Sequence, residues 1–306
     1  MPSGTVKRVR TQSAKLSFIV MLLILIVLTV GFRVLSGNSD VYLGTITESA
    51  YVDAPDRLYA PDKIVDVDSH SQAQFVVTCS FIRALPIDPI VGPSLVHEHA
   101  FFGNRAVGVL PRSSLANSTT SCAVPTDTAS YWVPTLRKDS VSIFPDHLVA
   151  YYRKGIGVTT NSIQPYPENM FMLAGSDTVV NKASFWKCSG DSATHSSVPK
   201  CPQGSSVTMV VVFPDCWDAI NSDSYGHREH VRYSRNGDCP STHPAYIPQL
   251  IVKIVYAQYP QDDLSLYGLS SKTAAPHADF LNLWKQEELI KLVRTCLVRN
   301  QVCPVH

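Results

Sequence analysis

Two stretches, VTMVVVF at Val207–Phe213 and LIVKIVYAQY at Leu250–Tyr259, decide the fold class. Both are apolar and rich in β-branched and aromatic side chains. Gln74–Cys79, Tyr131–Leu136 and Leu148–Tyr152 read the same way, and clusters of Pro, Gly, Asn and Ser separate all five runs. Such runs predict strands. The 21 prolines also suit a loop-rich β architecture better than a helical one. The expected fold is therefore mainly β, of β-sandwich or jelly-roll type with long loops. One helix is expected to close it, where Phe280, Trp284, Leu289, Leu292, Val293 and Cys296 recur at helical spacing. Asp279 is expected near the start of that helix, capping free backbone N–H groups.

The N-terminus sets the compartment. Lys7, Arg8, Arg10 and Lys15 precede an uncharged apolar run from Leu16 to Phe32, whose seventeen residues reach the low end of what a bilayer core requires. The cations put the N-terminus in the cytoplasm by the positive-inside rule. Residues 1–15 are thus read as a basic cytoplasmic tail, 16–35 as a transmembrane signal anchor held in the lipid bilayer, 36–71 as a polar stalk and 72–306 as an extracytoplasmic domain. Val34-Leu35-Ser36 is a weak cleavage site, so a cleaved signal peptide and a secreted domain form the alternative. In both cases the working part lies outside the cytoplasm, where Asn117-Ser118-Thr119 is a glycosylation sequon.

Cysteine usage agrees. All eight cysteines follow the anchor, and no CxxC pair occurs, which favours disulfides over a zinc ribbon. Proximity in sequence suggests Cys188–Cys201, Cys216–Cys239 and Cys296–Cys303, leaving Cys79 for Cys122, although spacing alone does not order the pairs. Of 26 basic and 25 acidic residues, five cations and no acid precede residue 36, so the remainder carries 21 against 25, a net of −4. That balance argues against a nucleic-acid surface.

Function-bearing residues come in pairs: His97-Glu98-His99, His227-x-x-His230 and His277-x-Asp279. Side chains two apart on an extended segment, or three apart on a turn, share a face, so each pair can offer two ligating or proton-transferring atoms to one spot. The pairs sit in four ordered motifs: DPIVGPSLVHEHAFFGN (Asp88–Asn104), FPDCWDAINSDSYGHREHVRY (Phe213–Tyr233), GDCPSTHPAYIPQL (Gly237–Leu250) and HADFLNLW (His277–Trp284). Together these resemble the extracellular family catalogued as domain of unknown function nineteen-ninety-six. The resemblance implies a polar site in a secreted or anchored domain and brings no known reaction with it. Where the family pattern has Gly, this chain has Ser94, Ala219 and Ala278, swaps that spare every polar motif residue and bear on loop geometry.

Three chemistries are open to these residues. One divalent transition-metal ion can be held by His97, His99, His227 and His230, since imidazole suits such metals, although HExxH is not present. A metal-free site can use His97, His99, His227, His230 or His277 as acid or base beside Asp218, Asp223 or Asp279. Alternatively, His and Asp in Pro-rich loops serve only to hydrogen-bond the backbone. Trp217, Tyr233 and Asp88 are the candidate substrate contacts, with Trp217 suited to stacking on a sugar. The sequence thus reads as an anchored, disulfide-bonded β domain with a His/Asp site acting on cell-surface or extracellular polysaccharide as a hydrolase or lyase. The alternative is a non-catalytic surface domain that binds glycan or metal.

Overall fold

The computed structural model describes residues 59–63, 72–89, 97–109, 112–176, 181–257, 265, 267–271 and 276–305. The expected tail and transmembrane segment lie outside them. Among the described residues no helix is long and apolar enough to cross a membrane. Within the stretch read as stalk, Tyr59–Lys63 packs on the domain, with Ala60 buried beside Phe185 and Tyr233.

The chain is mainly β, as expected. Its strands are β1 (Gln74–Leu85), β2 (His99–Gly103), β3 (Ser130–Pro134), β4 (Leu136–Lys138), β5 (Val141–Ile143), β6 (His147–Arg153), β7 (Phe171–Gly175), β8 (Ser184–Cys188), β9 (Val207–Val212), β10 (Cys216–Trp217), β11 (Val231–Arg232), β12 (Ala245–Tyr246), β13 (Gln249–Tyr256), β14 (Tyr267–Leu269), β15 (His277–Leu281) and β16 (Val302–Val305). Ten form one sheet in the order β7-β15-β3-β2-β1-β6-β13-β9-β8, with β16 parallel to β1 and every other pair antiparallel. Two small three-stranded sheets, β11-β10-β12 and β14-β4-β5, flank it.

The two layers expected of a sandwich are two halves of this one sheet, joined through β1. From Gln74 to Ser80 that strand pairs with β6, and from Phe81 to Leu85 with β2. The register shifts between Phe81 and Arg83. A bulge there bends the strand and lets it pass from one half to the other. The halves nearly close, because β7 returns beside β9. Alternate residues fill the space between them: Phe75 and Val77 from β1, Phe102 from β2, Tyr131 and Val133 from β3, Met209 and Val211 from β9, and Phe280 from β15 all enter one core. The opposite faces are also covered. Phe101, Trp132, Phe171 and Leu281 form a second apolar cluster over the β2-β3-β15-β7 half. Burial on both faces is why the strand sequences read as continuous apolar runs and do not alternate.

The closing helix needs correction. Phe280 is on strand β15 and Trp284 lies in the turn after it; the helix α1 (Gln286–Leu292) starts later and runs on as a π-helical turn, Val293–Val298. Its N-cap is Lys285, without a side-chain cap, so Asp279 has no capping role. Phe280 is on register with Tyr131 and Met172 of the neighbouring strands, and its agreement with helical spacing is coincidental. The four disulfides are Cys79–Cys122, Cys188–Cys201, Cys216–Cys239 and Cys296–Cys303, and no cysteine is free among the described residues.

Candidate metal centre

Alternation along an extended chain puts His97, His99 and Phe101 on one side and Glu98 on the other. The Glu98 carboxylate accepts from Ser142 Oγ at 2.5 Å and lies 3.8 Å from Arg137 Nη2. This carboxylate is turned away from the two imidazoles, so the segment does not act as a shortened HExxH helix.

On β15, His277 and Asp279 share the face of Leu281, whereas Ala278 and Phe280 point into the main core. Register does the rest. Phe101 pairs with Trp132 and Trp132 with Asp279; His99 pairs with Pro134 one row along. Continuing the same register places His277 on the far side of Pro134, so that the two histidines flank the same position of β3. Ring centroids are 4.2 Å apart for His97 and His99, 5.3 Å for His97 and His277, and 6.1 Å for His99 and His277. One nitrogen from each of the three lies within 4.8 Å of the others, and Asp88, His99 and Asp279 form a second group within the same limit. His99 is common to both.

The hydrogen bonds settle the state of His99. Its Nδ1 is 2.8 Å from the Ile87 carbonyl, which can only accept, so Nδ1 carries the proton. In the neutral ring Nε2 is then a bare lone pair. It is buried with no hydrogen-bond partner, as is Nδ1 of His277. Burial first, and then the neighbouring His97, brings the pKa of His99 down to about 4. Burial likewise holds His277 well below the ordinary value, helped by His99, His97 and the charge of Arg228. A neutral imidazole whose far nitrogen is fixed by a backbone carbonyl, as in His99, with a nitrogen of each of two further histidines within 4.8 Å, is the form that binds a metal.

Of the four histidines expected as ligands, His227 and His230 are not in this group, in which His277 stands with His97 and His99. His227 Nδ1 pairs with Asp223 Oδ1 at 2.7 Å, and its ring meets the Phe171 ring edge-on at 4.7 Å. His230 is buried, with Nδ1 2.8 Å from Ser224 Oγ, which also donates to Glu229 Oε2 at 2.8 Å. Burial pushes His230 down as well. Both residues are held by bonds inside their own loop. That loop runs along the free edge of β7, where the Ser222 and His227 carbonyls accept from Phe171 N at 2.9 Å and Leu173 N at 3.1 Å, and the His227 ring lies on Phe171, on the face that Leu281 shares with His277 and Asp279.

The remaining candidates divide. Asp88 and Asp279 stand beside His99. Asp218 instead closes its own turn, accepting from Ile220 N and Asn221 N at 2.9 Å; burial works against its charge, yet these bonds hold its carboxyl below the usual range. Trp217 donates its indole N–H to the Asn221 carbonyl at 2.6 Å and packs on the main core. Tyr233 is buried against the other half and donates to the Val212 carbonyl at 2.6 Å, so it is neither a base nor a sugar platform at this site. Sequence reading missed Arg228, whose Nη1 donates to the Gly175 carbonyl at 2.6 Å, next to His277. Its one sequence signal is its place between the two histidines of His227-x-x-His230.

Residues 88–284 match the family described as Domain of unknown function (DUF1996), as the four motifs led one to expect. The chain belongs to the DUF1996 family. No curated protein and no solved structure matches it. The DUF1996 region opens at Asp88 and closes at Trp284, so it contains the whole histidine trio and both neighbouring carboxylates.

Proposed function

We propose that this DUF1996 domain is an anchored extracytoplasmic module in which His97, His99 and His277 hold one divalent transition-metal ion that acts on polysaccharide. The observation that carries the reading is the buried, partnerless Nε2 of His99, with its tautomer set by Ile87 and two more imidazoles within ligand distance. Three histidines leave coordination positions open, and a metal so held supplies Lewis acidity toward water or a substrate oxygen. Asp88 and Asp279 are placed to take or return the proton. The compartment is supported by the four disulfides, and polysaccharide is the substrate class that an extracytoplasmic setting suggests.

Binding without turnover is the second reading, favoured by the burial of His99 and His277. Metal analysis of the full-length chain, loaded separately with zinc, copper and manganese, tests the centre. We expect one ion per chain, lost in His99→Ala and His277→Ala and kept in His227→Ala. Absence of any retained ion, or equal loss in all three variants, defeats the proposal. Release of reducing ends from a cell-wall polysaccharide separates turnover from binding.

A further inference from the structure

The loop from Asp218 to His230 does more than line the edge of β7. It holds a cation beside His277 and presents an aromatic ring to solvent. Arg228 is half-buried, with its guanidinium fixed by the Gly175 carbonyl and lying 5.7 Å from the Tyr59 ring centroid. Arg232 approaches the same ring at 5.4 Å. Neither arginine has a carboxylate within ion-pairing distance among the described residues; Arg232 spends its Nη1 on the backbone carbonyls of Arg228, Glu229 and Val231. The nearby acids are committed elsewhere: Glu229 to Ser224 and Gly226, Asp223 to His227, and Asp218 to Asn221. A guanidinium that is positioned, partly desolvated and without a carboxylate partner among the described residues is suited to receive an oxyanion. On the same loop, Tyr225 is fully exposed at 104 % and Ile220 at 81 %. An exposed tyrosine three residues from that arginine offers an apolar ring face, with a polar edge, to a sugar.

We propose that this loop forms an acidic-sugar subsite beside the histidine trio, in which Arg228 takes the carboxylate of a uronic acid residue and Tyr225 stacks on a pyranose ring. The substrate class is thus an anionic polysaccharide. The inference rests on the proposed site for its place in catalysis, but the subsite itself needs no metal. This lets the two be tested apart.

Retention of the full-length chain in gels containing polygalacturonate, dextran sulfate or a neutral β-glucan reads the subsite directly, with and without prior chelation. Metal content is measured on the same samples. We expect polygalacturonate to retard the chain far more than the neutral glucan. Arg228→Gln should weaken that retention roughly tenfold to a hundredfold, as for the loss of a charge-assisted bond, and Arg228→Lys, which keeps the charge, should recover part of it. Tyr225→Ala, at an exposed position that folding does not need, should weaken retention of polygalacturonate severalfold. Retention by dextran sulfate in place of polygalacturonate, still dependent on Arg228, keeps the anionic subsite and moves its ligand from carboxylate to sulfate ester. Equal retention by neutral and acidic polymers, or retention indifferent to both substitutions, overturns the inference. Arg228-dependent retention by a chain that holds no metal keeps the subsite and removes the metal centre alone.

Discussion

Ala219 has φ 65, in the left-handed region that a Cβ makes costly. Replacing it by Gly should therefore stabilise the domain by about 1 kcal/mol, read as a higher melting temperature; an unchanged or lower value would show that the turn after Asp218 is not strained. Asp127 is a second costly residue. It ends a buried chain of donors in which Trp284 Nε1 donates to Tyr152, Tyr152 to Tyr131, and Tyr131 to the Asp127 carboxylate at 2.9 Å. Burial, partly offset by the bonds from Tyr131 and Ala129, raises its pKa to about 7. In the unfolded chain it ionises near 3.8, so between these values the native state holds the extra proton. Its contribution is complete below about pH 4 and is lost as pH rises through 7, on the order of a few kcal/mol. Asp127→Asn should flatten the stability profile over that window, as denaturant titrations at successive pH values can check.

At the level of elements, the junction of β7 with β15 governs the site. Gly175 has φ 78, and a Cβ there would lie 2.3 Å from the Pro276 carbonyl oxygen and 2.8 Å from His277 Cα. Gly175→Ala should push the start of β15 outward, lowering both stability and metal occupancy. Retained occupancy with normal affinity would show that His277 is not set by this contact. The same junction explains what could be read in advance. His97 and His99 were recognisable as a pair because two residues along a strand return to one face. The partnership with His277 was not, since it depends on β3 standing between β2 and β15 and on the register that sets His99 and His277 on either side of one position of β3. Asp279 was misplaced for a related reason: a strand buried on both faces has no alternation, and its apolar positions merged with those of the helix that follows.

For the whole molecule, the disulfides are spread along the domain, from Cys79–Cys122 beside the bend of β1 to Cys296–Cys303 near the C-terminus. Thiol titration of the denatured, unreduced chain should find essentially no free thiol, and reduction should cost roughly 2–5 kcal/mol for each bridge lost; two or more free thiols would contradict the pairing. Composition and motif order by themselves determined the mainly β class and the family, because each depends on local residue chemistry. Cysteine neighbours were also correctly paired, as short chain separations favour their meeting. Which histidines meet, and which carboxylates stand beside them, was decided only by the tertiary structure. Strand order and register bring residues 97, 99 and 277 to one face, while bonds inside the 218–230 loop hold His227 and His230 apart from them. No spacing in the chain encodes that outcome, because it depends on which strands become neighbours.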